Sequence, residues 1–324
     1  MPADNLPEFH GDGERHYAPY DPTSPDLPRE EPYRASEDLK EAVNAALFLR
    51  RPLLLEGDPG AGKTKLAYAA AYELGWPLHA CYVRSSSRAE DLLYEFDQLG
   101  RLYDIQAACK LPDGTVREPK DLETFRHFRP LGRAIRDAAQ DRPSVVLIDE
   151  IDKADIDFPN DLLQVLEEWR FTIRENKEEK IDALNGENVA ERRDFLPLVI
   201  VTSNKERELP AAFLRRCLYF YIEFPDVDRL REIIDAHFEQ GVTPMFEAAL
   251  NRFLELRKAA RWRKPPGASE LLDWLRLLER NGAAGRLTKE EIEIASLGEL
   301  KHVKALLKTK DDLAALSGLA KKDD

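Results

Sequence analysis

Short apolar runs alternate with helical patterns over the first two-thirds of the chain. The runs predict buried strands at 52–57, 78–84, 145–149, 198–203 and 218–224. Between and before them, Ala/Leu-rich or amphipathic segments predict helices at 37–50, 63–75, 131–140 and 159–169. Ser36 is the expected N-cap of the first helix. Strands that alternate with helices predict an α/β fold, with a parallel sheet covered by helices on both faces.

The pattern changes at both ends of this α/β region. After Pro225 only helical segments follow, which predicts a domain boundary near residue 226, with a core at 37–226 and a helical region at 227–324. The first 38 residues contain seven of the 21 prolines and ten acidic residues against three basic ones. Residues 1–36 are therefore expected to form an extended arm that is either wrapped on the core or loose.

Composition excludes several classes of protein. The 324 residues include 48 basic and 61 acidic side chains, a formal net charge of −13, which argues against a general nucleic-acid-coating protein. An apolar fraction of 43% suffices for a core and excludes global disorder. Cys81, Cys109 and Cys217 form no CxxC pair, so no disulfide framework or cysteine zinc site is expected.

No segment of the sequence has the character of a membrane or export signal. The N-terminal stretch lacks the apolar region of a signal peptide. The apolar runs fall far short of the ~20 residues that a transmembrane helix needs. We therefore expect a soluble, cytoplasmic protein without membrane insertion.

A glycine-rich segment after the first predicted strand matches the pattern GxxxxGK[ST]. Its residues are Gly57, Asp58, Pro59, Gly60, Ala61, Gly62, Lys63 and Thr64. In such loops the backbone N–H groups surround phosphates, the lysine reaches the β- and γ-phosphates, and the threonine hydroxyl binds Mg²⁺. The alternative is a glycine-rich surface turn, but the position between a strand and a helix favours the phosphate loop.

The third predicted strand, at 145–149, ends in Asp149 and is followed by Glu150. Ligands of open parallel sheets bind at the carboxyl edge of the strands. Asp149 would hold Mg²⁺, mainly through its waters, and Glu150 would polarise an attacking water. The alternative is a strand that ends in solvated acids.

Two further polar groups follow the later strands. Asn204 lies at the end of the fourth strand, where it could orient the same water or simply form a turn. Arg215 and Arg216 precede the fifth strand, where arginine suits the charge that develops on a γ-phosphate. Paired arginines also commonly belong to a solvated face.

In this order, and followed by a helical region, these motifs resemble an AAA+ ATPase, and within that family the MoxR branch. Residues 57–64 resemble Walker A and residues 145–150 Walker B. The resemblance to the branch depends on EDLLYEFD at 90–97, on a long insert at 98–130 and on the segment 202–217.

The resemblance implies a sheet of strand order 5-1-4-3-2 and a ring, usually hexameric, with ATP and Mg²⁺ bound between subunits. It implies that Asn204 is the sensor 1 residue and that Arg215 and Arg216 lie in the arginine-finger region, with Arg216 favoured. The segments 98–120 and 171–194 correspond to inserts that line the pore or contact clients. Partners with a von Willebrand factor A domain are also implied.

The chain departs from the family in its helical lid. Many relatives carry an arginine, called sensor 2, near the start of a lid helix, whereas residues 266–272 contain none at the expected place. Arg261, Arg263, Lys264 or Arg276 are candidates to replace it. Each is alternatively an ordinary surface base with a buried stem.

Three functions are compatible with these features. The leading hypothesis is an ATP-hydrolysing ring that remodels or activates protein clients. The second is a nucleotide-gated scaffold or regulator with little turnover. The third is a nucleic-acid-associated motor, against which the net charge of −13 argues.

Overall fold

The computed structural model describes residues 6–108, 118–176, 178–260, 262–283 and 287–320. In chain order, the strands are β1 (Leu53–Gly57), β2 (Leu78–Tyr82), β3 (Tyr94–Phe96), β4 (Arg126–Phe128), β5 (Val145–Asp149), β6 (Arg170–Thr172), β7 (Lys180–Asp182), β8 (Leu198–Ser203) and β9 (Leu218–Ile222). The helices are α1 (Glu37–Leu49), α2 (Lys63–Leu74), α3 (Gln98–Ala107), α4 (Pro130–Ala139), α5 (Phe158–Glu168), α6 (Ala211–Arg216), α7 (Val227–His237), α8 (Pro244–Ala259), α9 (Ala268–Ala283), α10 (Lys289–Ile294) and α11 (Lys310–Ala320).

Five strands form the central sheet, in the order β2-β5-β8-β1-β9. The β2–β5, β5–β8 and β8–β1 pairs are parallel. Counted among these five strands, β5, β8 and β9 are the third, fourth and fifth. The order is therefore the predicted 5-1-4-3-2, which confirms the fold class.

The middle of this sheet is buried on both faces. Every residue of β5 and β8 is buried, and β1 is buried except at Glu56, because helices cover both sides of a parallel sheet. Helices α4 and α5 contribute Ile135, Leu162 and other apolar side chains to the same core. The continuous apolar runs of the sequence reflect this two-sided burial.

Helix α1 begins as the sequence predicts. The Ser36 side chain accepts a hydrogen bond from the Leu39 backbone N–H at 3.3 Å, which satisfies one of the free donors of the first turn. The helix ends at Arg50, whose left-handed backbone (φ 52°) breaks the helical repeat one residue earlier than predicted.

Two small two-stranded sheets include residues of the segments that resemble family inserts. Strands β6 and β7 pair antiparallel within the polar region predicted as an insert at 171–194. In the 98–130 segment, α3 is followed by β4, which pairs antiparallel with β3. Residues 109–117 of this insert, including Cys109, lie outside the described residues.

The other two cysteines, Cys81 and Cys217, are buried free thiols. Burial raises the pKa of both thiols to about 12. They are therefore protonated side chains of the core, without the thiolate character that nucleophiles and metal ligands need.

The N-terminal arm has no helix or strand between residues 6 and 36, yet it is wrapped on the core. Phe9 is almost completely buried. The backbone N–H groups of His10, Gly11 and Gly13 donate to the carboxylate of Glu73, close to the end of α2. Of the two states that the sequence left open for the arm, the structure therefore shows the wrapped one.

The chain divides into two compact units. The first comprises the described residues of Met1–Glu31, Ala35–Glu56 and Ala67–Phe220. The second comprises those of Pro32–Arg34, Gly57–Leu66 and Tyr221–Asp324, with a separate core around Phe253 and Trp274. No strand follows β9 among the described residues, as the helical patterns predict. None of the helices described in either unit combines the length and apolar character that crossing a membrane requires.

Candidate functional site

The glycine-rich loop continues the chain directly from the carboxyl end of β1. A Cβ atom at Gly57 would lie 2.5 Å from the carbonyl oxygen of Ile222, so only glycine fits this close approach. At Gly62 the backbone has φ +90°, and a Cβ atom would lie 3.2 Å from the ring of Tyr33. The sequence pattern therefore has a steric basis in this structure.

Lys63, the first residue of α2, is buried against the same loop. Its Nζ donates to the carbonyl oxygens of Gly57 at 2.7 Å and Asp58 at 3.0 Å. These bonds hold the ammonium group inside the curve of the loop. Thr64 follows in the first turn of α2, where the helix N-terminus favours anions.

A basic side chain from the helical region, which the sequence pattern did not single out, contacts this loop. The guanidinium of Arg257, on α8, lies 3.8 Å from the carboxylate of Asp58. It also lies 3.6 Å from the centroid of the Phe224 ring and donates to the carbonyl oxygen of Pro266. Burial lowers the pKa of Arg257, while the charge of Asp58 acts in the opposite direction. Arg257 thus presents a partly desolvated cation at the edge of the loop.

The residues proposed from sequence to replace sensor 2 are placed elsewhere. Arg263 pairs with Asp311, and Arg276 pairs with Asp273. The backbone N–H of Lys264 donates to Asp312. Arg261 lies outside the described residues.

The segment without an arginine meets the loop through small and polar groups. The Ser269 hydroxyl donates to the carbonyl oxygen of Gly60 at 3.4 Å. The Glu270 carboxylate accepts the N–H of Gly267 at 3.0 Å, and a Cβ atom on Gly60 would lie 3.4 Å from that carboxylate. This end of α9 therefore brings an acid, rather than a base, close to the loop.

In the first unit, the two acids at the carboxyl end of β5 are hydrogen-bonded to a side chain of β8. Asp149 is buried, and its Oδ1 accepts a hydrogen bond from the Thr202 hydroxyl at 2.6 Å. The same hydroxyl oxygen accepts the backbone N–H of Glu150 at 2.9 Å. Thr202, which the sequence did not single out from its neighbours, therefore fixes the side chain of one acid and the backbone of the next.

Glu150 has a left-handed backbone (φ 60°, ψ 50°), which turns the chain sharply after the strand. Its carboxylate accepts the amide of Asn204 at 3.2 Å and also pairs with the ammonium of Lys153. The hydrogen bond to Glu150 raises the pKa of Lys153. The predicted pair Glu150 and Asn204 is therefore brought together, with Lys153 as a third member.

Asp152 anchors the turn that follows β8. It is 2% exposed, and its Oδ2 accepts the backbone N–H groups of Asn204 at 3.0 Å and Glu206 at 2.8 Å. Its Oδ1 has no hydrogen-bond partner among the described residues. The acidic residues continue after Asp149 and Glu150 in the sequence, and this pattern could have identified Asp152.

The predicted arginine pair ends helix α6, immediately before β9. Both side chains are exposed, and Arg216 pairs with Glu167. The guanidinium of Arg51 donates to the backbone carbonyl oxygens of Arg215, Arg216 and Cys217. Arg51 thus caps the end of α6 and fixes the backbone of the arginine pair.

Comparison with known proteins identifies the family. The family model described as AAA domain (dynein-related subfamily) matches residues 52–217. The chain belongs to this AAA family. The match spans β1 to the end of α6, and therefore both the glycine-rich loop and the acids after β5. The MoxR branch is not confirmed and stays a prediction.

Two further comparisons add little to the assignment to the AAA family. No curated protein matches the chain significantly. Among solved structures, the chain is similar to the one titled "Crystal structure of FIGL-1 AAA domain in complex with ADP", with 19% identity and a TM-score of 0.40. That match covers 89% of this chain and 88% of the other.

The Thr202 hydroxyl can be tested by the substitution Thr202→Val, which keeps the shape and removes both hydrogen bonds. Leaving the Glu150 N–H unpaired and removing a bond to Asp149 should lower the free energy of unfolding by about 1–3 kcal/mol. Thr202→Ser, which keeps the hydroxyl, is the matched control and should lose less. Denaturant titration measures both, and equal stability of the valine variant and wild type would contradict this role.

Proposed function

We propose that this AAA protein is an ATP-hydrolysing ATPase of the MoxR type that acts on protein clients as a ring. The observation that carries the proposal is the group formed by Asp149, Glu150 and Asn204 at the carboxyl ends of β5 and β8. Strand β8 lies between β5 and β1, and from β1 the chain enters the loop that contains Lys63. A buried acid, an acid bonded to an amide, and a glycine loop with a lysine are the parts that phosphoryl transfer to water requires.

The loop residues fit a phosphate group. Lys63 already donates to two carbonyl oxygens of the loop, and phosphate oxygens are stronger acceptors for the same ammonium. The hard carboxylate oxygen of Asp149 and the hydroxyl of Thr64 fit Mg²⁺. Bound there, Mg²⁺ would neutralise charge on the transferred phosphate.

Glu150 is placed to act on water. One of its carboxylate oxygens accepts the Asn204 amide, so that amide would orient the acid and the attacking water together. The ammonium of Lys153 pairs with the Glu150 carboxylate and holds it in place. Asp152 and Thr202 are positioning residues, since they fix the backbone of Asn204 and Glu150.

A mutant pair separates nucleotide binding from chemistry. Lys63→Ala removes the charge that would meet the phosphates, so ATP affinity should fall below detection while the fold is retained. Glu150→Gln keeps the size and can still accept the Asn204 amide, but it loses the ion pair with Lys153 and removes the base, so ATP should bind and hydrolysis should fall by about 10²–10⁴-fold. Equilibrium binding of labelled ATP and phosphate release measure the two effects.

The outcomes also separate the competing functions. Unchanged ATP affinity in Lys63→Ala would contradict the phosphate-loop role itself. Wild-type turnover in Glu150→Gln would mean that Glu150 is only a solvated acid. A wild-type protein that binds ATP tightly but has almost no turnover would favour the nucleotide-gated scaffold.

Arg257 is a different candidate for the role of the missing sensor 2 arginine. It is the cation that contacts the loop through Asp58, whereas Arg263 and Arg276 pair with acids of the helical region. We therefore propose that Arg257 senses the nucleotide from α8. Its partly buried position would strengthen an interaction with phosphate, because water screens it less.

Arg257→Ala should therefore weaken ATP binding by at least about tenfold, since charge-assisted hydrogen bonds contribute about 1.5–3 kcal/mol. Arg276→Ala, on the exposed side of α9, is the matched control and should bind ATP like wild type. The affinity is measured by titration with labelled ATP. Equal weakening in both variants would remove the assignment to Arg257.

The arginine pair is proposed to act on the nucleotide of a neighbouring subunit. It precedes β9, the edge strand of the sheet, and Arg51 holds the backbone of both residues. The Arg216 side chain is half exposed in its pair with Glu167, so it is accessible to another subunit. Fingers supplied in this way raise phosphoryl-transfer rates by about 10³–10⁵.

Arg216→Ala should bind ATP normally and hydrolyse it poorly. Mixing it with Glu150→Gln should restore part of the activity, because mixed rings would contain some sites with both an intact base and an intact finger. Labelled subunits must first show exchange. If exchange occurs and the mixture stays inactive, Arg216 does not act in trans, and the same test with Arg215→Ala then decides between the two arginines.

The client is proposed to be a protein, in some cases one with a von Willebrand factor A domain. Helix α3, in the segment that resembles a client-contacting insert, exposes apolar side chains to solvent. These are Leu99, Leu102, Tyr103 and Ile105, each 47–68% exposed. Such exposure on one helix is typical of an interaction surface. Affinity capture with Glu150→Gln would identify proteins retained in the ATP state.

A further inference from the structure

A buried carboxylate next to the N-terminal arm has no cationic partner in the part of the chain that the structure describes. Glu73 is 0% exposed, and it forms no ion pair with lysine, arginine or histidine among the described residues. Its oxygens accept only the backbone N–H groups of His10, Gly11 and Gly13, at 2.9–3.1 Å. Buried charges in proteins are generally paired with an opposite charge or coordinate a metal.

A second carboxylate and an imidazole adjoin Glu73. His16 Nε2 lies 2.8 Å from Asp12 Oδ2 and 2.9 Å from Asp12 Oδ1. One ligand atom of each of Asp12, His16 and Glu73 lies within 4.8 Å of the other two. The His10 ring is next to this group, with its centroid 4.0 Å from that of His16. Two acids and one imidazole therefore lie in one small cluster, in which the imidazole is bonded to Asp12.

The geometry leaves room for an additional positive charge. Asp12 and Glu73 bring two carboxylates to one small space, and the described partners of the Glu73 oxygens are backbone N–H groups. A divalent cation would interact with both carboxylates, and a neutral imidazole offers a ring nitrogen for coordination.

We propose that Asp12, His16 and Glu73 form a binding site for a divalent transition metal of the Zn²⁺ class. One imidazole nitrogen and two carboxylate oxygens suit such an ion, and three protein ligands leave a fourth position for water. Asp12 and His16 are only partly exposed, with side-chain exposures of 35% and 29%, so the ion has an entry path from solvent. The proposal is independent of ATP hydrolysis.

The site would fasten the arm to the core. Asp12 and His16 belong to the arm, whereas Glu73 belongs to α2, and 56 residues lie between His16 and Glu73 along the chain. A metal that binds only when the arm is wrapped stabilises that state by mass action. Metal occupancy is thereby coupled to the position of the arm.

Titration of the full-length, metal-stripped protein with Zn²⁺ in the absence of nucleotide tests the proposal. Isothermal calorimetry should show one equivalent bound to this site. Asp12→Asn and His16→Gln should each weaken it by at least about 10–100-fold, the effect of losing even an indirect contact to a metal. Glu14→Gln, on the same loop, and His127→Gln, on β4, are exposed matched controls that should bind like wild type.

Thermal unfolding supplies a second measurement. Zn²⁺ should raise the melting temperature of the wild type and of both controls, and should not raise that of Asp12→Asn or His16→Gln. Without Zn²⁺, all variants must melt close to the wild type, which shows that they are folded. Absence of stoichiometric binding in the wild type, or wild-type affinity in either ligand variant, would overturn the three-residue site.

Discussion

The hydrogen bonds of the Thr202 hydroxyl join two buried strands at their carboxyl ends, where the candidate site lies. Strands β5 and β8 are apolar along their length, so each can carry polar groups only at its carboxyl end. There, Thr202 donates to Asp149 and accepts from the backbone of Glu150. Because the register of the two strands is fixed, these bonds also fix Asp149, which suits a metal ion, relative to Glu150, which suits a water molecule. Asn204 and Asp152 extend the same network by one turn of the chain.

Much of the fold could be predicted because its signals are local or topological. The apolar runs at 145–149 and 198–203 coincide with β5 and β8, and the Ser36 cap begins α1. The strand order followed from the resemblance of the motifs to a known family, not from periodicity. Helices α1 and α5 end one residue before the predicted ends, where the left-handed residues Arg50 and Trp169 stop them. Such stops depend on backbone angles that residue type alone only weakly constrains.

The candidate site was predicted in part. Glu150 and Asn204 were expected to act together, and the structure brings them into contact. The contacts of Arg257 and Arg51, and the proximity of Asp12 to Glu73, could not be predicted, because each joins residues far apart in sequence. Periodicity shows that α8 is amphipathic, but not which of its bases meets the loop at Asp58. For the same reason, spacing along the chain gave no indication that a histidine of the arm lies close to an acid of α2.

The proposed role of Arg257 would keep a family function while the residue that carries it changes position. Where a sensor arginine is expected, α9 begins with Ser269 and Glu270, and an acid there would repel phosphate. The cation comes instead from α8, and stacking on the Phe224 ring together with the carbonyl oxygen of Pro266 holds Arg257 in place. Because Asp58 already pairs with Arg257, a nucleotide would have to compete with that acid for the guanidinium. Arg257 would therefore change partners between the empty and the bound loop. Under this proposal, the position of one arginine would link nucleotide occupancy to the helical region.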